Sequence, residues 1–242
     1  MKDILPLKRL FIKTEFKEKS LINLSVSNTH YISNVLRMRE KQKLSIFNGF
    51  QGEWEGIIKS LNKKKGLILI DKQIKKQEEE NLINIIYVPI KGHRNYYLIE
   101  KITELGVSNI YPIISEHSVI KKFNYKRANA CAIAASQQSG RLSVPKIHKF
   151  KNLKNTLSTW NKKDQIIFCD ETEKKKFFND LFKSKIKKIN TILIGPEGGF
   201  SLSEKFFLKN LNYIYGLTLG KRILRADTAA ISALTLLIDK KK

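Results

Sequence analysis

Two turns near the carboxyl terminus carry the residue types that could do chemistry. The first follows the apolar run 191–194 and reads Gly195-Pro196-Glu197-Gly198-Gly199. Its glycines allow close approach of a ligand to the main chain, and Glu197 offers a carboxylate at the tip. Such a turn suits capture of a nucleotide-like ligand by backbone groups. An ordinary loop whose glycines serve only geometry is an equal alternative.

The second turn is basic. Arg222 and Arg225 follow a short apolar stretch that ends at Gly220, and Asp227 or Thr228 is expected to cap a C-terminal helix. Arginines beside a helix start are suited to holding an anionic RNA group. The alternative is that Arg225 merely forms an ion pair with Asp227.

The pattern from residue 82 onward predicts the elements that position these turns. Strand-like runs alternate with helical segments, which is typical of a parallel α/β sheet. The strands are expected at 85–90, 109–114, 165–169, 191–194 and 217–219, and the helices near 94–105, 124–139, 172–183, 202–210 and 228–239. Ser201 and Glu204 have capping-box spacing, and Gly106 is placed for a left-handed C-cap. Because ligands bind at the carboxyl ends of parallel strands, the loops after 90, 114, 169, 194 and 219 are the places to search.

Residues 9–72 read differently, as short strands at turn-length spacing. Runs at 9–12, 21–24, 43–47, 52–60 and 66–70, with one helix opening at Ser27 or Asn28, predict a small β-barrel. Arg9, Arg37 and Arg39 are candidate RNA contacts there, although each could equally be a solvated residue or a structural ion pair. The charged stretch 72–81 predicts a boundary between a domain at 1–73 and another at 82–242.

Composition limits the possible partners and cofactors. A net charge of +24 over 242 residues indicates a polyanionic partner such as RNA, although an AT-rich genome could also enrich lysine. Cys131 and Cys169 form no CxxC pair, and the histidines show no ligand spacing, so a reduced, metal-free protein is expected. Gly216–Arg222 departs from the P-loop pattern. No apolar leader or membrane-spanning run is present, which favours a cytoplasmic location.

The two turns together closely resemble the RsmE family of SPOUT-superfamily methyltransferases. The resemblance is carried by 194–200 and 219–230, and by four further blocks in the same order, 91–94, 101–107, 115–119 and 138–145. The chain departs from the family pattern at His93, His117, Gln137 and Asp227.

This resemblance implies transfer of a methyl group from S-adenosylmethionine to N3 of one uridine in 16S rRNA of the small ribosomal subunit. It further implies a PUA-like N-terminal β-barrel, a SPOUT α/β domain with a C-terminal trefoil knot, and a homodimer whose site borrows from both subunits. Two alternatives remain open. One is a non-catalytic RNA-binding or ribosome-assembly factor, and the other is a SPOUT methyltransferase acting on another RNA position.

The resemblance also assigns roles to residues. Arg225 is expected to stabilise the developing uridine anion, and Glu197 to accept from the cofactor or relay a proton. The expected cofactor-binding residues, mostly acting through backbone, are Leu193, Ile194, Gly195, Pro196, Gly198, Gly199, Leu219, Gly220, Ile223, Leu224, Thr228 and Ala229. The expected RNA-binding residues are Arg9, Lys91, Arg94, Arg141 and Arg222. No metal is expected.

Overall fold

The computed structural model describes residues 7–62, 65–170, 172–173 and 189–240. Its contacts divide the chain into two compact units, one formed by Met1–Glu79 with Ser136–Val144, the other by Glu80–Ala135 with Pro145–Lys242. The segment 136–144 therefore belongs with the first unit. The domain limits of 1–73 and 82–242 remain predictions.

The first unit contains a five-stranded sheet with the order β1-β3-β4-β5-β2. β1 is parallel to β3, and the other pairs are antiparallel. Its inward side chains form one apolar core that includes Leu10, Ile46 and Ile68. The strands are β1 (Arg9–Phe11), β2 (Leu21–Asn23), β3 (Lys43–Phe47), β4 (Glu53–Leu61) and β5 (Gly66–Lys75).

One short helix interrupts these strands. Helix α1 (Val26–His30) begins after Ser25, whose Oγ accepts a hydrogen bond from the Asn28 amide at 3.1 Å, and a π-helical turn at Tyr31–Val35 follows. The helix therefore begins earlier than the predicted opening at Ser27 or Asn28, because Ser25 provides the N-cap oxygen.

The second unit contains an all-parallel sheet with the order β12-β10-β11-β6-β7-β8, in which β9 also pairs with β7. This confirms the predicted parallel α/β sheet. The strands are β6 (Asn84–Tyr87), β7 (Asn109–Ile114), β8 (Lys146–Ile147), β9 (Lys151–Asn152), β10 (Gln165–Cys169), β11 (Ile189–Ile194) and β12 (Ile214–Leu217).

The last strand lies earlier than predicted. β12 ends at Leu217 instead of covering 217–219, because Thr218 closes a turn. Its Oγ1 accepts from the Gly220 amide at 3.2 Å and donates to the Gly220 carbonyl at 3.0 Å. This turn takes the chain out of the sheet and into the basic loop.

The helices follow the predicted positions, with two exceptions. They are α2 (His93–Glu104), α3 (Tyr125–Ser139), α4 (Leu153–Ser158), α5 (Leu202–Lys209) and α6 (Ala226–Asp239). Helix α2 ends at the predicted left-handed Gly106 (φ 84°), whereas the short α4 was not predicted. The helix predicted at 172–183 lies almost wholly outside the described residues. Among the helices that the structure describes, none is long and apolar enough to cross a membrane.

Candidate active site

The parallel register brings four strand ends to one level of the second unit's sheet. Cys169 pairs with both Ile194 and Leu217, and Ile194 pairs with Tyr87. The residues that follow these four therefore leave the sheet at the same carboxyl edge. This edge is where the topology of open α/β sheets concentrates ligand sites.

A cavity of about 540 Å³ lies at this edge, a size typical of small-molecule sites. Both predicted turns contribute to it. Its lining consists of Arg94, Cys169, Ile194, Gly195, Pro196, Glu197, Gly198, Gly199, Ile223, Leu224, Arg225, Ala226 and Ala229. A smaller adjoining cavity shares Cys169, Leu224 and Ala229 and adds Asp170, Thr218, Leu219, Gly220 and Arg222.

Glycines keep main-chain atoms accessible in both turns. Gly199 has φ 69°, and its amide donates to the Pro196 carbonyl at 2.9 Å, which closes the first turn. A Cβ added to Gly220 would meet no atom within 4 Å, so the space beside this residue is open. The backbone of each turn can therefore be approached closely by a ligand.

Arg94 joins the two turns through its guanidinium. Its Nε and Nη2 donate to the two carboxylate oxygens of Asp227 at 3.0 and 2.7 Å, and its Nη1 donates to Glu197 Oε1 at 2.5 Å. The paired contact with Asp227 is the bidentate geometry that arginine and carboxylate favour. One side chain at the start of α2 thus fixes both loops.

The contact between Arg94 and Asp227 also shifts the pKa of both groups. The hydrogen bond from Arg94 is the main cause that lowers the pKa of the Asp227 carboxyl, and the Thr228 amide contributes a further hydrogen bond. The same pair raises the pKa of Arg94. Both groups therefore stay charged at neutral pH.

These contacts correct two predictions about the second turn. Helix α6 is preceded by Arg225 at the N-cap position without a side-chain cap, so the predicted capping by Asp227 or Thr228 is wrong. The alternative pairing of Arg225 with Asp227 is also wrong, because Arg94 takes the carboxylate. The Arg225 side chain is exposed and forms no ion pair with any residue that the structure describes.

Glu197 lies at the mouth of the cavity with 45% of its side chain exposed. Its ion pair with Arg94 satisfies one oxygen and orders the loop. This arrangement fits a role in ordering the loop, and the predicted role of Glu197 as an acceptor or proton relay remains a prediction.

A network next to the cavity fixes the turn after β11. Ser201 and Glu204 form the predicted capping box at the start of α5. Glu204, which is buried, also accepts from the Glu116 amide at 2.9 Å, and His117 Nδ1 lies 2.9 Å from the Gly199 carbonyl. The loops after β7 and β11 are thereby connected.

The structure separates the predicted cofactor residues into lining and supporting positions. Leu193 is fully buried beneath the cavity, and Thr228 lines neither cavity. The other predicted cofactor residues line one or both. The lining residues Cys169, Asp170, Thr218 and Ala226 were missed, although the loop after 169 was among those expected to hold a ligand.

The predicted RNA-binding residues occupy two kinds of environment. Lys91 and Arg222 are exposed, whereas Arg94 is engaged in the cavity and Arg141 is buried. Arg9 is also engaged within the first unit. It pairs with Glu53 at 2.6 Å and lies 4.5 Å from the centre of the Phe47 ring.

Arg9 makes further contacts inside its own unit. It donates to the carbonyl oxygens of Ser136, Gln137 and Arg141 at 2.9, 3.2 and 2.9 Å. The guanidinium N–H groups of Arg9 are therefore largely hydrogen-bonded within the first unit. The structure gives Arg9 the structural role that the sequence left as an alternative, and RNA contact through it remains a prediction.

Other chemistry at the cavity is limited. Burial raises the pKa of the Cys169 thiol to about 12, so this group stays protonated at neutral pH. Over the described ranges no cluster of three or more His, Cys, Asp or Glu side chains is arranged to hold a metal ion.

Comparisons with known proteins show two family matches along the chain. A profile described as an RNA methyltransferase domain matches residues 77–238, and one described as an RNA methyltransferase PUA domain matches residues 24–71. Ribosomal RNA small subunit methyltransferase E of Rickettsia conorii is 31% identical over 230 residues, covering 93% of each chain. The protein of that name from Buchnera aphidicola subsp. Schizaphis graminum is 35% identical over 243 residues, covering 95% of this chain and 94% of its own.

Solved structures extend the likeness to the fold. A methyltransferase from Legionella pneumophila, solved with bound S-adenosylmethionine, has a TM-score of 0.87 and 28% identity, covering 98% of both chains. A ribosomal RNA small subunit methyltransferase E from Neisseria gonorrhoeae has a TM-score of 0.85 at 23% identity, covering 97% of this chain and 98% of that one.

Proposed function

Because the chain belongs to the ribosomal RNA small subunit methyltransferase E family, we propose that it transfers a methyl group from S-adenosylmethionine to N3 of one uridine in 16S rRNA. The observation that carries this proposal is the joint cavity of the two turns, whose lining includes Arg225, a residue that forms no ion pair with any described residue. A non-catalytic RNA-binding factor would need neither the cavity nor that free guanidinium.

The cavity fits the methyl donor in size and in chemistry. It combines accessible backbone at Gly198 and Gly199 with apolar side chains at Ile223 and Leu224. Pockets for nucleosides and cofactors characteristically pair an apolar lining with a few polar groups that fix orientation. S-adenosylmethionine would supply an activated methyl group, so the protein's task is mainly to position the acceptor in line.

Arg225 is the proposed catalytic residue. Loss of the N3 proton makes the uridine base anionic, and a guanidinium that forms no ion pair within the described part of the chain is available to stabilise that charge. Arg94 cannot take this role without releasing Glu197 and Asp227. Glu197, which lines the cavity, stays a candidate proton acceptor.

RNA binding is proposed to use exposed basic residues. Lys91 and Arg222 lie on loops at the carboxyl edge of the sheet, and Arg222 lines the smaller cavity. In the first unit Arg37 and Arg39 are exposed. The net charge of +24 supports a phosphate-dominated footprint on 16S rRNA and the small subunit, with affinity that falls steeply with salt.

Three finer features belong to the same proposal. The PUA unit is a closed β-barrel, the segment leading into α6 is threaded as a trefoil knot, and two chains form a homodimer that completes each site. Apolar side chains on the second unit support the dimer, since Tyr97 on α2 and Leu236 on α6 are 46% and 39% exposed. A cytoplasmic location accompanies this function.

Product analysis tests the proposed function. Small subunits lacking the modification are incubated with the protein and methyl-labelled S-adenosylmethionine, and the digested nucleosides are separated by mass. N3-methyluridine is the expected product. A different methylated nucleoside would reassign the target position, and no methylated product would leave an RNA-binding factor as the better account.

A further inference from the structure

The opposite, amino-terminal edge of the same sheet carries a second cavity of about 650 Å³. Asn84 and Asn109, the first residues of β6 and β7, line it, whereas the proposed methyl-donor cavity lies beyond the other ends of the strands. The two sites are therefore distinct. Neither of the two turns contributes to this second cavity.

Aromatic rings form one wall of this cavity. The rings of Tyr111 and His148 are stacked, with centroids 3.9 Å apart and planes 14° apart. Trp160 stands edge-on to Tyr111 at 5.0 Å, and its Nε1 donates to the Asp164 carbonyl at 3.0 Å. Fixed aromatic surfaces of this kind are what unpaired nucleobases stack upon.

A chain of amides determines which nitrogen of His148 carries the proton. Asn109 Nδ2 donates to Asn84 Oδ1 at 3.0 Å, so Asn109 Oδ1 is the atom 2.9 Å from His148 Nε2. His148 Nε2 must then be the donor. In a neutral ring Nδ1 is an acceptor, and no residue in the described part of the chain bonds to it.

The surroundings keep this ring neutral at physiological pH. Burial is the main cause that lowers the pKa of His148, and the charges of Lys146 and Lys151 lower it further. The Nδ1 atom of a neutral imidazole can accept a hydrogen bond from the imino or amino N–H group of a nucleobase.

The rim of the cavity is basic. Lys146, Lys149 and Lys151 are exposed lining residues. One carboxylate, Asp164, also lines it, and its oxygens accept from the amides of Asn161 and Asn190 at 3.1 and 3.4 Å. Three ammonium groups outweigh this single carboxylate, so the rim favours an anion.

We propose that this cavity binds a single nucleotide, with its base beside the Tyr111–His148 pair and its phosphate against the lysines. Stacking rings, an imidazole acceptor without a partner among the described residues and a basic rim are contacts that a base and a phosphate can use. The nucleotide is either an unpaired residue of the RNA substrate, in which case the inference rests on the proposed function, or a free nucleotide.

Calorimetry on the full chain tests the site with UMP, AMP, uridine and inorganic phosphate as probes. His148→Phe keeps a ring and removes the acceptor, and Lys146→Ala/Lys151→Ala removes two charges. The expected losses in UMP affinity are about fivefold for the first and about tenfold for the second. The matched control Lys209→Ala/Lys240→Ala removes two exposed charges elsewhere and should change UMP affinity by less than about twofold.

S-adenosylmethionine affinity is measured on each variant and should stay unchanged, which separates loss of the cavity from loss of the fold. UMP affinity that is equal in all variants, or inorganic phosphate binding as tightly as UMP, would overturn the proposal. Failure of methyl transfer with UMP binding intact would instead count against the proposed function alone.

Photocrosslinking distinguishes the two sources of the nucleotide. A short single-stranded RNA carrying 5-iodouridine is irradiated with the full chain, and the crosslinked peptides are mapped. Crosslinks to Tyr111, His148 or Trp160 that UMP competes away support an RNA nucleotide. If the His148→Phe and Lys146→Ala/Lys151→Ala substitutions weaken UMP binding but no such crosslinks form, the ligand is a free nucleotide. If the substitutions leave UMP binding unchanged and no such crosslinks form, the site is refuted.

Discussion

At the scale of single residues, the division of labour between two arginines decides how the cavity works. Arg94 is committed to Glu197 and Asp227, whereas Arg225 lines the same cavity without an ion pair to any described residue. A committed guanidinium fixes geometry, and a free one can respond to charge that develops during a reaction. The two should therefore differ in what their loss changes.

Arg225→Ala should lower the rate of methyl transfer by about 10²–10³-fold, the usual cost of removing one group that stabilises a developing anion. S-adenosylmethionine affinity in the same variant should stay within about twofold of wild type, because donor binding relies on backbone of both turns. Single-turnover assays and calorimetry measure the two quantities. Unchanged turnover would remove Arg225 from the catalytic role.

Asp227→Asn should lower stability in a pH-dependent way. Pairing with Arg94 lowers the pKa of Asp227 in the folded state. The ionised carboxylate therefore stabilises the protein fully above the unfolded-state pKa of about 3.9. This stabilisation is lost as the pH falls through the folded-state pKa. The difference in Tm between wild type and variant should be constant near neutral pH and shrink below about pH 4. A difference independent of pH down to the acid limit would show that the ion pair contributes nothing.

The sequence could predict that the two turns meet at one site but not how their residues pair. The turn at 195–199 and the loop at 219–225 were recognisable from glycines, arginines and neighbouring apolar runs. The partner of Asp227 was not, because Arg94 is 133 positions away and only the folded register brings it close. Arg9 shows the same limit, since its carbonyl partners lie more than 120 positions along the chain.

At the scale of secondary-structure elements, the ends of helices were predicted correctly where hydrogen bonds between nearby residues set them. Glu204 and Gly106 marked helix ends correctly, because capping depends on residues within one turn. The end of β12 was misplaced, because the Thr218 turn competes with strand extension in an apolar run. Helix α4 spans only 6 residues, too few for a periodic signal to stand out.

Glu204→Ala should destabilise the protein by about 1–3 kcal/mol, because it leaves the amides of Ser201 and Glu116 without their acceptor next to a buried site. Urea unfolding followed by circular dichroism measures this change. Lys209→Ala, at the exposed end of the same helix, is the matched control and should cost less than about 0.5 kcal/mol. Equal effects of the two substitutions would contradict the proposed connection between α5 and the loop after β7.

Arg9→Ala should act on stability rather than on RNA affinity alone. Removing it strands Glu53 and three carbonyl oxygens, and breaking a largely buried ion pair costs about 3–5 kcal/mol. Arg39→Ala, at an exposed site of the same unit, should change unfolding by less than about 0.5 kcal/mol while weakening RNA binding. An Arg9→Ala protein as stable as wild type would contradict the structural role of Arg9.

At the scale of the whole molecule, the family relationship confirms the resemblance seen in the two turns, while the assembly remains a proposal. The proposed homodimer should give a mass twice the 28.0 kDa of one chain in light scattering. Tyr97→Glu/Leu236→Glu, which places charge on the exposed apolar positions, should lower that mass to one chain. A wild-type protein that stays monomeric across the micromolar range would contradict a site shared between subunits.

The most direct test of the central claim is a crystal structure of the protein soaked with S-adenosylmethionine. We expect the donor between the turn at 195–199 and the loop at 219–225, with Arg94 still bridging Glu197 and Asp227 and with the Arg225 guanidinium beside the methyl group. An empty or collapsed cavity, or a donor bound at another edge of the sheet, would contradict it.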